Sequence, residues 1–187
     1  MREEAVSRLG RLPGTRSLLV EIVRGENESE NVRQAAVSAI MRSGDANALS
    51  TLQELYGSVG NREVKEQIIS VISKNQDQEA ALDFLIKVAE SDSSRELREQ
   101  AISRLSRFSS ARSLEALTRV AGSDADGELQ EQAVMAISKR PNDEAVPLLI
   151  QIAKTHSRAE VREVAVRRLS RSSDDRAKEF VRQLLTK

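Results

Sequence analysis

The chain contains no cysteine and no tryptophan. The first absence excludes disulfides, thiolate nucleophiles and thiolate metal sites, and it suits either redox compartment. The second, with aromatic residues at only 2%, removes the usual stacking platforms for bases and the aromatic anchors of interface hot spots. Any binding surface must therefore be largely polar. Lys+Arg and Asp+Glu total 29 each, so no net charge draws the chain towards nucleic acid, an anionic membrane or an acidic substrate. No apolar run approaches the length of a membrane helix, and no secretory leader opens the chain. The compartment stays open, with the cytoplasm favoured and the periplasm retained.

What is present is a repeat. The stretch Val32-Arg-Gln-Ala-Ala-Val-Ser-Ala-Ile-Met-Arg42 has counterparts starting at Met1, Val64, Leu97, Leu129 and Val161, at spacings of 31, 32, 33, 32 and 32. A period in this range marks a helical solenoid. Apolar residues fall at the first, fifth, sixth and ninth positions, as in Val32, Ala36, Val37 and Ile40 or Leu97, Ala101, Ile102 and Leu105. That spacing is one helical stripe and does not fit strand alternation. These are the B helices. Small polar residues three places earlier, Ser29, Asn61, Ser94 and Asp126, with Ser157 one place earlier still in the last copy, read as N-caps.

A second cap column follows thirteen residues after each start: Asp45, Asp77, Ser110, Asn142 and Asp174, with Gly14 and Thr15 in the first copy. Each leads into an amphipathic run, from Leu18-Leu19-Ile22-Val23 through Leu49-Leu52-Leu55 to Val181-Leu184-Leu185. These are the A helices. Pro147 lies about one turn into one of them, where a missing N–H costs little. A lone hairpin of this kind cannot bury both faces, so the copies must stack. The expectation is one all-α solenoid over residues 1–187. Met1 stands where the other copies carry Val or Leu, which reads as truncation of an upstream segment. An edge left open there could pair two copies weakly, although a monomer is expected.

The alanine column of Ala5, Ala36, Ala101, Ala133 and Ala165 is broken by Ile68, which predicts altered stacking in the third copy, since small residues permit closer helix approach. The second position carries Arg2, Arg33, Lys65, Arg98 and Arg162. A cation near the positive end of a helix needs an acceptor, and carboxylates or carbonyls of the adjoining repeat are expected to supply it.

The stretches from Ala89-Glu90-Ser91-Asp92 to Leu97-Arg98, and from Ile152-Ala153 to Val161-Arg162, resemble the HEAT-like repeats found in many bacterial proteins. The resemblance covers nearly the whole chain. It implies a right-handed, armadillo-like α-α superhelix of about six hairpins, with the B helices lining the concave side. The family's loop Asp maps to Asp92 and Asp124, with Asn27, Val59 and His156 in the same column. Its B-helix Arg maps to the cations of the second position, from which Gln130 departs.

Successive 100° steps put the third, seventh and eleventh B-helix positions opposite the core. The third column reads Glu3, Gln34, Glu66, Glu99, Glu131 and Glu163; the seventh Ser7, Ser38, Ser70, Ser103, Met135 and Arg167; the eleventh Arg11, Arg42, Lys74, Arg107, Lys139 and Arg171. The expected surface is a trough with an acidic edge, a floor of small residues and a basic edge about 12 Å away. A peptide or partner helix with matching charges would lie along it, which makes the chain a noncatalytic scaffold for a protein partner. Acids near helix starts and bases near helix ends also complement the macrodipole, the plainer explanation of the same columns.

Other chemistry finds little support. His156, the one histidine, has no nucleophile elbow or oxyanion turn beside it and reads as a loop hydrogen-bonder. One histidine without cysteine argues against zinc. Aligning Gly127 with the glycine of a calcium loop puts Gly122 first and Ala133 last, so the essential carboxylates are missing. No cofactor or metal is expected. The resemblance also admits DNA glycosylase-like and bilin lyase-like members, but the Glu column would repel phosphates, no Trp is present to stack a flipped base, and no lyase constellation maps onto these residues.

Overall fold

The computed structural model describes residues 1–74, 78–123 and 126–186. Asp77, Asp124 and Lys187 lie outside them. The described residues form twelve α-helices and no strand, as the 3.6-residue periodicity requires. The chain divides into two compact units, Met1–Phe84 and Leu85–Lys187.

The first unit contains α1 (Arg2–Leu9), α2 (Arg16–Arg24), α3 (Glu30–Arg42), α4 (Ala48–Ser58), α5 (Arg62–Ile72) and the first half of α6 (Gln78–Ser91). Hairpins α2–α3 and α4–α5 pair A with B helices, and α3 also packs against both α1 and α5. The core is aliphatic: Leu19, Ala36, Val37, Leu52, Val64, Ile68 and Ile69 are wholly inaccessible. Ile68 thus takes the alanine position at full burial. Gly10 lets α1 approach closely, since a Cβ there would lie 2.5 Å from the Ala39 carbonyl oxygen. The first copy departs from the core pattern, with Met1 and Ala5 exposed and Val6 buried, because α1 packs chiefly against α3.

The second unit takes the remainder of α6, then α7 (Arg95–Leu105), α8 (Ala111–Ser123), α9 (Gly127–Ile137), α10 (Asn142–Thr155), α11 (Ala159–Leu169) and α12 (Asp175–Leu185). Its B helices pack in series, α7 on α9 and α9 on α11. Ala101, Ala133 and Ala165 are all at 0% exposure. Because Ala101 is wholly inaccessible between packed helices, Ala101→Leu is expected to cost about 1–3 kcal/mol by overpacking. Urea denaturation checks this, and a change within about 0.5 kcal/mol would contradict close packing there. In α12 the buried residues are Ala177 and Phe180, whereas Leu184 and Leu185 are 46% and 83% exposed. The expected Val181-Leu184-Leu185 core is therefore corrected, because the helix begins at Asp175 and turns an earlier part of its stripe inward.

The caps agree with the sequence in part. Asn61, Ser94 and Asp126 accept from backbone amides of the first turn of α5, α7 and α9. Ser29 occupies its N-cap position without a side-chain bond. In α11 the cap is Arg158 rather than Ser157, because the Arg158 amide is drawn to His156 Nδ1 at 3.1 Å and the helix starts one residue later. Asp174 caps α12 as expected, and Ser110 Oγ accepts from the Ser113 amide at the start of α8. In the second cap column two expectations fail: Asn47 caps α4 while Asp45 lies two residues before that cap, and Pro141 precedes α10 so that Asn142 is already helical. Helix α10 runs through Pro147 unbroken.

Candidate functional site

The face that the B-helix register leaves outside the core carries the three polar columns. Arg42, Lys74, Arg107, Lys139 and Arg171 are exposed, as is Ser103, while Ser38, Ser70, Glu66, Glu99 and Glu131 are half-buried. Because α1, α3 and α5 pack in series, the first unit carries Arg42 at the last residue of α3, and Arg11 and Lys74 in the turns two residues beyond α1 and α5. The series α7, α9, α11 places Arg107, Lys139 and Arg171 likewise, each two residues beyond the helix end. Neighbouring cations in a row are thus set by interaxial spacings of about 8–10 Å.

The two edges differ electrically at most positions, Glu131 being an acid that forms no ion pair among the described residues. On the acidic side, Arg62 lies 3.4 Å from Glu66, Arg95 3.0 Å from Glu99 and Arg167 3.6 Å from Glu163, each one helical turn away. Arg95 also pairs with Glu128 and lies 3.6 Å from Asp126. The basic side has no such neutralisation among the described residues. Among the described residues none of Arg11, Arg42, Lys74, Arg107, Lys139 and Arg171 forms an ion pair, and Arg42 donates only to its own helix, at the Ser38 carbonyl. In the second unit partial burial, and after it the like charge of Arg107, lowers the pKa of Arg104. The small-residue floor is partly committed as well, since Gln67 Nε2 donates to Ser38 Oγ at 2.8 Å and ties α5 to α3.

Two of the second-position cations meet carbonyls of the preceding copy, as expected. Arg98 Nε donates to the Ala89 carbonyl at 3.0 Å, and Arg162 to the His156 and Ser157 carbonyls at 2.7 and 2.9 Å. These acceptors lie in the last turn of the A helix or in the turn after it, where carbonyls have no intrahelical partner and stand beside the next helix start. Arg2 does reach an adjoining hairpin, at Glu28. Lys65 instead stands over the Tyr56 ring, 5.0 Å from its centroid. His156 supplies a cross-repeat link: its Nδ1 accepts from Arg158, so Nε2 carries the proton and donates to the Ala121 carbonyl at 2.9 Å.

Sequence reading missed a second set of links at the B-to-A turns. Arg140, with its side chain 4% exposed, donates to the Phe108 carbonyl, to the Ser110 carbonyl at 3.3 Å and to Glu144 at 2.8–2.9 Å. Arg16 pairs with both oxygens of Asp45, at 2.9 and 3.1 Å. Arg176 binds Asp174 and reaches the Asn142 carbonyl at 3.1 Å. The one signal available for Arg140 was its departure from a column otherwise holding Leu12, Ser43, Asn75, Phe108 and Ser172.

The hydrogen bond from the Arg176 guanidinium holds the Asp174 carboxyl at about 2, against its ordinary 3.8; partial burial opposes the shift and the Arg176 backbone amide adds to it. A depressed acid adds stability above its unfolded value and loses it as pH falls through its folded value. The contribution of Asp174 should therefore disappear between about pH 4 and pH 2. Carboxyl titration by NMR checks the midpoint, and Asp174→Asn should flatten this part of the acid-unfolding profile.

Among the described residues no group of three or more His, Asp or Glu side chains could hold a metal ion, and no helix is long and apolar enough to cross a membrane. Comparison with curated proteins gives no significant match. Two solved structures are similar to the chain. Human deoxyhypusine hydroxylase in complex with glycerol is 16% identical, with 99% of this chain and 78% of that one covered and a TM-score of 0.43. A de novo designed 16-helix transmembrane nanopore is 17% identical, with 99% and 58% covered and a TM-score of 0.18. Neither likeness bears on function. The model of HEAT repeats matches residues 1–73, 59–138 and 120–187, which together span both units. With its period, its A and B hairpins and its serially packed B helices, the chain belongs to the HEAT repeat family, whose fold is an all-α solenoid of helical hairpins.

Proposed function

We propose that this chain is a noncatalytic protein-interaction module whose partner presents acidic side chains to the B-helix cation rows. The observation that carries this reading is the asymmetry of the two edges. Glu66, Glu99 and Glu163 are neutralised by arginines within their own helices, whereas the row cations are exposed and have no ion pair among the described residues. Such rows favour an extended or helical acidic segment, steering its approach and fixing its register. The same rows could meet a phosphate backbone, but the chain has no net positive charge and no Trp, so it lacks both the bulk attraction and the stacking surface of a nucleic-acid binder. An enzyme of the bilin lyase or DNA glycosylase kind would need a constellation of reacting groups that these rows do not form.

The test is fluorescence anisotropy with a labelled Glu-rich helical peptide, its Lys-rich counterpart and a short DNA duplex. Saturable binding of the acidic peptide that weakens with salt is expected, with none of the basic one. Tighter binding of the duplex would overturn the assignment.

A further inference from the structure

We propose that a cavity between the α2–α3 and α4–α5 turns is a carboxylate-binding site, with the Arg33 guanidinium as its principal donor. It lies at the N-terminal ends of the B helices, away from the cation rows, and does not rest on their function. The cavity has a volume of about 500 Å³ and is lined by Val23, Arg24, Glu26, Arg33, Val59 and Asn61, among others.

Arg33 differs from its counterparts. Arg98 and Arg162, at the same repeat position, give their side-chain N–H groups to carbonyls of their own hairpins. The Nε of Arg33 is buried without a hydrogen-bond partner, and no other side-chain bond of Arg33 is formed among the described residues. A charged donor left so costs free energy until an acceptor arrives. The described residues supply none, and position 59 shows why. In the second unit, the residue of that column is His156, which reaches back to the Ala121 carbonyl of the preceding turn. Asp92 in the same column accepts from the Ser94 amide. The Val59 side chain offers neither a donor nor an acceptor, so no such bridge forms at this turn pair.

The charges select the ligand. Arg24 and Arg33 are both without an ion pair among the described residues, and Glu26 is the one acid in the lining. The lining therefore carries a single net positive charge, which suits one carboxylate. A phosphate dianion would meet Glu26 as well as the arginines. A guanidinium matches a carboxylate's geometry and binds it more strongly than a neutral acceptor. The volume exceeds that of a small ion and falls in the range of pockets that hold larger groups, so a peptide carboxylate, at a chain terminus or on a side chain, fits the space.

The experiment follows the Arg Nε–H resonances of the full chain by NMR during titration with sodium acetate, with N-acetyl-dialanine as the free acid, and with phosphate, each at matched ionic strength set by chloride. The Arg33 resonance should shift saturably with acetate, with half-saturation in the roughly millimolar range, and at lower concentration with the peptide acid. Equal responses to acetate and peptide would assign the site to free small carboxylates. Val59→Asp installs an internal carboxylate; the resonance should then start from a shifted position and no longer respond to acetate, with helicity checked by circular dichroism. Linear shifts common to all arginines, a stronger response to phosphate, or an unchanged acetate response in folded Val59→Asp would each overturn the proposal.

Discussion

Reversing Arg107, Lys139 and Arg171 to Glu should weaken binding of the acidic helical peptide by at least about 100-fold, with helicity nearly unchanged. An exposed ion pair is worth about 0.2–1 kcal/mol, and reversal replaces attraction with repulsion of similar size. Three such changes come to about 3 kcal/mol near the middle of that range, which is about 100-fold in Kd. These side chains are exposed and make no ion pair among the described residues, so little of the loss can arise from a disrupted fold. What stability is lost comes from opposing the macrodipole at the B-helix ends, about 0.3–1 kcal/mol for each residue. Reversal of the A-helix cations Lys87, Lys178 and Arg182 changes net charge equally and should leave binding within about threefold. The same row in the first unit, reversed at Arg42 and Lys74, separates the contributions of the two units. Equal binding by wild type and the triple reversal would end the interaction model.

Arg140→Ala is expected to cost about 2–4 kcal/mol, the largest effect of any polar substitution in the chain. The wild-type guanidinium is almost wholly buried and joins the B-to-A turn before α10 to the corresponding turn before α8. Its removal leaves the Phe108 and Ser110 carbonyls short of a donor and opens a cavity. Glu144 contributes less, because its side chain is 37% exposed and water can replace the arginine. Arg140→Lys should recover part of the loss, as one ammonium cannot meet both carbonyls and the carboxylate with a guanidinium's geometry. Urea denaturation gives the magnitude, and hydrogen exchange should show the loss concentrated in α8 and α10. A cost below about 1 kcal/mol for Arg140→Ala would show that the bridge is incidental.

The architecture was open to sequence reading because it depends on periodicity. Residues such as Leu97, Ala101, Ile102 and Leu105 form one stripe that is buried whatever the loops do. The departures from repeat columns were informative too: Val59 marks the turn at which Arg33 is left without a partner, and Gln130 keeps a buried amide oxygen unbonded. Pairings between columns were harder to see. Arg62 with Glu66 and Arg95 with Glu99 obey the ordinary four-residue rule, but a column taken alone hides a neighbour one turn away, so the acidic edge read as more charged than it is. Arg140 was invisible for another reason. Its partners are main-chain carbonyls, which carry no residue identity and leave no trace in a repeat alignment.

The side-chain links described between neighbouring repeats join residues 26 to 35 apart in the chain, from Arg2–Glu28 to His156–Ala121. Folding therefore closes only modest loops before contacts are gained, and assembly can nucleate in any hairpin and spread outward. A topology of such low contact order favours rapid folding. It also lets gene duplication lengthen the array by whole modules, since a new hairpin needs to fit only the one before it and the one after.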